Sequence, residues 1–187
     1  MAHILCPWWF GYVLANPLRR LLQNPEKIFA PYVKEGTEVL EIGPGMGFFT
    51  IPMARMVGSE GRIFAVDLQK KMIEGLMRRA RKQGLANRIG SRVCTKDSLL
   101  VGDLEGAINF VLLYSVVHEV RDKERFFSEV KTTLKRDGKI LYSEPSFHVP
   151  EKEFDETLEL LRRMGFEIEG KPSIPGSRSA ILVPKKD

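Results

Sequence analysis

The chain predicts a doubly wound α/β domain, with a mainly parallel sheet of seven strands and one antiparallel strand near the edge. Three observations predict it. Apolar strand-like runs alternate with amphipathic helical segments along most of the chain. The runs "EVLEI", "RIFAV" and "INFVLLYS" are almost continuously apolar, as in strands covered by helices on both faces. The last two strand-like runs, within "FEIEGKPSIPGSRSAILVP", have no helix between them, so one of the pair must run against the rest.

The elements follow in order. Asn16-Pro17 and Asn24-Pro25 each read as an N-cap followed by proline at the first helical position. "PEKIFAPYVKEG" is then a short helix, broken around Pro31 and ended by Gly36. After the strand "EVLEI" comes a helix from about Phe48 to Val57, with Pro52 tolerated near its first turn. The strand "RIFAV" precedes the helix "LQKKMIEGLMRRARKQG". That helix gathers Met72, Ile73, Leu76, Met77 and Ala80 on one face and stops at Gly84. "IGSRVCTK" and "INFVLLYS" are the third and fourth strands. "RDKERFFSEVKTTLKRDG" is a helix with Phe126, Phe127, Val130 and Leu134 inward, followed by the strand "KILYSE". "EKEFDETLELLRRMG" buries Phe154, Leu158 and Leu161 before the final strand pair.

A length of 187 residues, 43% hydrophobic and 28% charged, suits one domain spanning 1–187. Cys6 and Cys94 are far apart in sequence and expected to stay unbridged, as in a reducing cytoplasm. The net charge of +5 is spread along the chain. Its densest cluster, Arg78, Arg79, Arg81 and Lys82, falls at a helix end, where cations favour the helix dipole, and reads as a solvated face. The apolar N-terminal stretch "ILCPWWFGYVLA" is too short to span a bilayer. It also lacks the leading basic residues and the cleavage site of a signal peptide, so it is expected to be kept.

The functional signal is "VLEIGPGMGFFT", with three glycines in five positions directly after the first strand. In a doubly wound fold this turn lies at the carboxyl edge of the sheet, where ligands bind. A phosphate-gripping loop would need Gly-Lys-Ser or Gly-Lys-Thr, which does not follow. A dinucleotide fingerprint counted from Gly43 would place its third glycine at position 48, which is Phe48. The pattern present is Glu41-x-Gly43-x-Gly45-x-Gly47. Asp67 ends the second strand, 20 residues after Gly47, where a carboxylate can accept both hydroxyls of a ribose; NAD enzymes share this feature.

Together with "CTKDSL", "VVHEV" and "VKTTLKRDGKILYSEP", these motifs resemble the class I S-adenosylmethionine-dependent methyltransferases over residues 37 to about 183. The likeness is to the small-molecule group that includes ubiquinone/menaquinone-biosynthesis and arsenite methyltransferase-like enzymes. Arg136-Asp137 departs from that family's usual Pro-Gly. The resemblance implies a Rossmann-like sheet, S-adenosyl-L-methionine as cofactor and S-adenosyl-L-homocysteine as product. It also implies a cofactor site of Glu41, Gly43, Gly45, Gly47, Asp67, Leu68, Asp97 and Ser98, with Glu41 near the ligand's ammonium. Asp97 would receive the adenine amino group, and the next amide, Ser98, would contact the ring. Each residue also has a plainer reading. Glu41 could cap a helix, Asp97 could be a turn residue, and Asp67 could pair with Lys70 or Lys71.

For the acceptor, the Asp/Asn-Pro-Pro-Tyr/Phe motif of base amino-group enzymes is missing after the fourth strand, where "YSVVH" stands. "EPSF" follows the fifth strand instead, and "CPWW" reverses the Pro-Cys of cytosine C5 enzymes. A small-molecule acceptor is therefore favoured over nucleic acid. Tyr114, His118 and His148 are the candidate catalytic groups, a histidine near neutrality suiting proton removal from a hydroxyl or thiol. No metal ligand set is assigned. Residues 1–35 form a helical and aromatic segment expected to cover an apolar acceptor, with Trp8, Trp9, Phe10 and Tyr12 excluding water. The same segment could instead be core or a homodimer contact. A non-catalytic binder on this fold and, less favoured, a nicotinamide oxidoreductase are the competing functions.

Overall fold

In the computed structural model, which describes residues 22–185, seven strands form one sheet in the order β3-β2-β1-β4-β5-β7-β6. The strands are β1 (Glu38–Ile42), β2 (Arg62–Asp67), β3 (Ile89–Val93), β4 (Ile108–Tyr114), β5 (Leu134–Pro145), β6 (Phe166–Gly170) and β7 (Ser177–Pro184). β1 to β5 pair in parallel, and β7 runs antiparallel to both of its neighbours, one place in from the edge. The expected seven-stranded α/β sheet with its single reversed strand is therefore the one observed.

The strands read as continuous apolar runs because both faces are covered. On one face Val39, Phe110, Leu112 and Tyr114 pack with α1 (Pro25–Phe29), α2 (Thr50–Met56) and α3 (Lys70–Lys82). On the other, Leu40, Ile42, Val111 and Leu113 pack with α4 (Lys123–Thr133) and α5 (Glu151–Arg163). All side chains of β1 and β4 except Glu38 and Asn109 are therefore buried, at roughly 25 cal/mol for each Å² of apolar surface removed from water. Among the described residues no helix is long and apolar enough to cross a membrane.

Two helices end earlier than expected. α1 is capped by Asn24, whose side chain accepts the Lys27 amide at 3.1 Å, but it stops at Phe29 rather than near Gly36. Pro31 has no N–H with which to continue it. α4 ends at Thr133, and Leu134 opens β5 instead of closing the helix. Leu134 pairs with Ile108, and the register then jumps to Phe110–Lys139. The backbone passes so close at the jump that a Cβ on Gly138 would lie 2.9 Å from the Ile108 carbonyl oxygen. Only a residue without a side chain fits there.

The basic cluster is not wholly solvated. Arg78, Arg81 and Lys82 are exposed, but Arg79 is half-buried and donates to the Met46 carbonyl of the glycine turn. The aromatic residues 8–12, Cys6 and the Asn16-Pro17 cap lie outside the described residues.

The strand order reverses between β1 and β4, because the chain leaves β1 toward β2 and β3 and then returns to the other side. The carboxyl ends of β1 and β4 flank that switch point, where open α/β sheets bind ligands.

Candidate functional site

The turn after β1 carries Gly43, Gly45 and Gly47, all in the left-handed region at φ of 72°, 55° and 83°. They do different things. A Cβ on Gly43 would meet Val116 Cγ2 at 3.1 Å, and one on Gly47 would meet Leu76 Cδ1 at 2.4 Å. A Cβ on Gly45 would meet no protein atom within 4 Å, and Gly45 faces a cavity of about 510 Å³.

That cavity opens at the carboxyl ends of β1 to β4. Glu41, Gly43, Gly45, Asp67, Leu68, Asp97 and Ser98 all line it, together with Cys94, Tyr114 and Ser115. The fold thus brings together every residue expected at the cofactor except Gly47, whose place is against α3.

Glu41 is buried, 2% exposed, at the end of an apolar strand. Burial pushes its carboxyl up to about 8; the nearby Thr50 hydroxyl eases this in part, and the Asp67 charge adds to it. Its Oε2 and the Thr50 hydroxyl both lack a well-formed hydrogen bond among the described residues. A buried carboxylate oxygen without a donor is costly, and a cation or donor entering the cavity would relieve that cost.

Asp67 is buried too, and burial pushes its carboxyl up to about 6. The backbone amides of Gln69, at 2.8 Å, Gly45 and Leu68 offset part of that rise, while Glu119 adds to it. Lys70 reaches Glu74 at 3.9 Å rather than Asp67. Gly45 therefore tethers the glycine turn to the end of β2 through its N–H, while its bare Cα faces the space.

Asp97 stands exposed on the rim. The Ser98 amide already donates to Thr95 Oγ1 at 3.0 Å within a tight turn, and the Ser98 hydroxyl donates to Glu129 Oε2 at 3.0 Å. Glu129, on α4, also accepts the Leu99 amide at 2.8 Å and so fixes this loop. Nothing in the sequence marked Glu129, because the contact crosses from the β3 loop to a helix 30 residues on. Cys94 is a further cavity-lining residue that the motifs did not single out. Burial, with the Asp67 charge, pushes the Cys94 thiol up to about 11, which leaves it a poor nucleophile.

The three candidate catalytic groups are not brought to one place. Tyr114 lines the cavity, with its hydroxyl 2.8 Å from Ser177 Oγ and its ring edge-on to Phe49. His118 follows on the 3₁₀ turn Val117–Glu119, whose neighbours Val116 and Glu119 line the cavity while His118 turns toward β5. Its Nδ1 lies 2.7 Å from Glu144, and its ring meets that of His148 at 5.0 Å. His148 itself is exposed. Among the described residues no cluster of His, Cys, Asp or Glu has the makings of a metal site.

A buried carboxyl with one oxygen short of a well-formed hydrogen bond among the described residues, a second one held by amides at a strand end, and apolar walls from Phe48, Met72 and Leu99 define the cavity's chemistry. It suits a ligand with a cationic head, hydroxyls and a flat apolar part. A solved S-adenosylmethionine-dependent methyltransferase from Aquifex aeolicus has the same fold, with a TM-score of 0.83 and 21% identity over 96% of this chain and 100% of that one. A ubiquinone/menaquinone biosynthesis C-methyltransferase of Marinomonas is 25% identical over 137 residues, 71% of this chain and 54% of the relative. A demethylmenaquinone methyltransferase of Lactobacillus johnsonii is 27% identical over 108 residues, 58% of this chain and 43% of the relative. The chain thus spans about half the length of these curated relatives. A family model described as a methyltransferase domain matches residues 33–170, and the chain belongs to that family.

Proposed function

We propose that the chain transfers a methyl group from S-adenosyl-L-methionine to a small-molecule acceptor. The observation that carries this reading is the buried Glu41 oxygen that lacks a well-formed hydrogen bond among the described residues, on the same cavity as Asp67 at the switch point. The ligand's ammonium supplies the donor that Glu41 lacks. Asp67 accepts the ribose hydroxyls, Gly45 lets the backbone pass close to the amino-acid part, and Leu68, Asp97 and Ser98 flank the adenine. When bound, the cofactor supplies an electrophilic methyl on a sulfonium. The chain's own task is then to align the acceptor with that methyl and to keep water out.

Phe48, half of an edge-to-face pair with Phe49, occupies the place where a dinucleotide fingerprint needs glycine, which weighs against a nicotinamide cofactor. The aromatic segment within residues 1–35 belongs to the proposal as the cover of an apolar acceptor, and a reducing cytoplasm as the setting.

Calorimetry with S-adenosylhomocysteine and NAD side by side tests the cofactor, with binding of the first and not the second expected. Labelled S-adenosylmethionine incubated with a protein-free metabolite extract tests the reaction. Binding without labelled product would identify a cofactor-binding protein rather than an enzyme.

A further inference from the structure

Glu41 stands on β1 inside the sheet, level with Ala65 of β2 and Leu112 of β4, and lines the cavity. Its Oε2 lacks a well-formed hydrogen bond among the described residues. So does the hydroxyl of Thr50, the buried first residue of α2. The cations that line the cavity, Lys96, Arg121 and Arg125, are all exposed, on the loop after β3 and around the start of α4. The charge that bears on Glu41 from a neighbouring element is another acid, the buried Asp67 at the end of β2. An anionic Glu41 would therefore be a buried charge beside a second carboxyl, with no cation to pair it among the described residues. A group so placed stays neutral by keeping its proton.

We propose that Glu41 is a proton-exchanging specificity residue, which holds a proton until the ammonium of an S-adenosyl ligand comes beside it and then gives that proton up. The inference rests on the cofactor reading above. The carboxyl O–H bond breaks, its electron pair stays on the carboxylate, and the proton leaves to bulk water through the open cavity. The ammonium keeps its own hydrogens and donates one to Oε2, so a buried neutral acid gives way to a buried ion pair. A ligand with the same adenosine but no ammonium leaves the proton where it is. Acidity thus selects between ligands, because the amino-acid head adds affinity only where Glu41 can lose its proton.

Burial is the main cause that raises the Glu41 carboxyl, to about 8; Thr50 lowers it in part and the Asp67 charge raises it. Pairing with an ammonium favours the ionised form and brings the value down. Affinity for a ligand with that head should therefore rise by up to about tenfold for each pH unit as pH climbs toward 8, and level off above it. Asp67, raised by burial to about 6, titrates below that range. The reading above gives it the ribose, so any proton it releases is common to every adenosine ligand. The difference between a ligand with the head and one without isolates Glu41.

The test is calorimetry of wild type with S-adenosylhomocysteine and with methylthioadenosine, which lacks the amino-acid head, in phosphate and Tris buffers near neutral pH. The dependence of the heat on the buffer's ionisation enthalpy gives the number of protons released. S-adenosylhomocysteine should release close to one proton more than methylthioadenosine. Between about pH 6 and 7.5 its affinity should gain at least about tenfold more than that of methylthioadenosine. In Glu41→Gln both differences should vanish. Carbon-13 NMR of the Glu41 carboxyl in wild type, protonated in the free protein and ionised with S-adenosylhomocysteine bound, decides the matter if the glutamine variant does not fold or methylthioadenosine binds too weakly to count. Equal proton counts for the two ligands, an excess that survives in Glu41→Gln, or a carboxyl already ionised in the free protein at neutral pH would overturn the proposal alone. Wild type that does not bind S-adenosylhomocysteine would overturn the cofactor reading beneath it.

Discussion

Two glycines two residues apart in one turn face different surroundings, Gly45 the cavity and Gly47 the Leu76 side chain. Gly45→Ala places a methyl in open space facing the cavity, so folding should lose only the left-handed penalty of about 1–2 kcal/mol. Affinity for S-adenosylhomocysteine should drop at least tenfold, about 1.4 kcal/mol, by calorimetry on the folded variant. Gly47→Ala drives its methyl into buried Leu76 and carries the same backbone penalty, so its unfolding free energy should fall by about 2–4 kcal/mol. Denaturant melts of both variants check the ranking; equal losses of stability would show that Gly45 serves the turn alone. Glu41 yields a pH prediction. Its folded value near 8 lies above the ordinary 4.5, so the folded state binds the extra proton. The stability this confers is complete below about 4.5 and is lost as pH rises through about 8. Asp67 acts in the same direction, but only to about 6. Between pH 6.5 and 9, the cofactor-free wild type should lose melting temperature relative to Glu41→Gln. Parallel curves for the two proteins would refute the buried, donor-poor carboxyl.

At the scale of elements, α3 clamps the glycine turn. A Cβ on Gly75 would sit 3.1 Å from Met46 Cγ, Leu76 fills the space beside Gly47, and Arg79 donates to the Met46 carbonyl. Arg79→Met keeps most of the side-chain bulk and removes the donor. It should weaken S-adenosylhomocysteine about three- to tenfold, below the ~1.5–3 kcal/mol of a buried charge-assisted bond because Arg79 is partly exposed. The melting temperature should move little, and unchanged affinity would leave Arg79 as surface decoration. The apolar face of α3 was legible from the spacing of Met72, Ile73, Leu76 and Ala80, all buried. The reach of Arg79 was not, because a cation near a helix C-terminus is equally at home in water. The early ends of α1 and α4 escaped the sequence for a related reason. Propensity reports whether a segment can continue as a helix, whereas pairing of Leu134 with Ile108 decides that it does not.

For the whole molecule, one sheet edge gathers residues from Glu41 to Ser98 into a single cavity, so ligand binding should stabilise the fold as a unit. S-adenosylhomocysteine at a hundred times its Kd should add about 2.7 kcal/mol to unfolding in one cooperative transition, as read by calorimetric melting. Deleting residues 1–15 should abolish acceptor labelling and leave S-adenosylhomocysteine affinity nearly intact. Loss of folded protein would mean that the segment is core.

The sequence by itself determined the sheet, its reversed strand and the end of each strand at which a ligand would sit. Those follow from apolar periodicity, turn glycines and the handedness of crossovers, which are local or nearly so. It also marked Glu41, through the Glu-x-Gly-x-Gly-x-Gly pattern, and Asp67, because a carboxylate closing an apolar strand stands out against its neighbours. The tertiary structure alone decided which glycine faces the cavity and which faces Leu76, that the Ser98 amide is already taken, and that Glu129 and Glu144 hold the loops. The glycine, Glu129 and Glu144 contacts depend on atoms brought close across 26 or more residues of chain, whereas the bond of the Ser98 amide to Thr95 is local. The residue types alone do not specify such contacts, since a glutamate on a helix or at a strand end has many partners open to it until the layers pack.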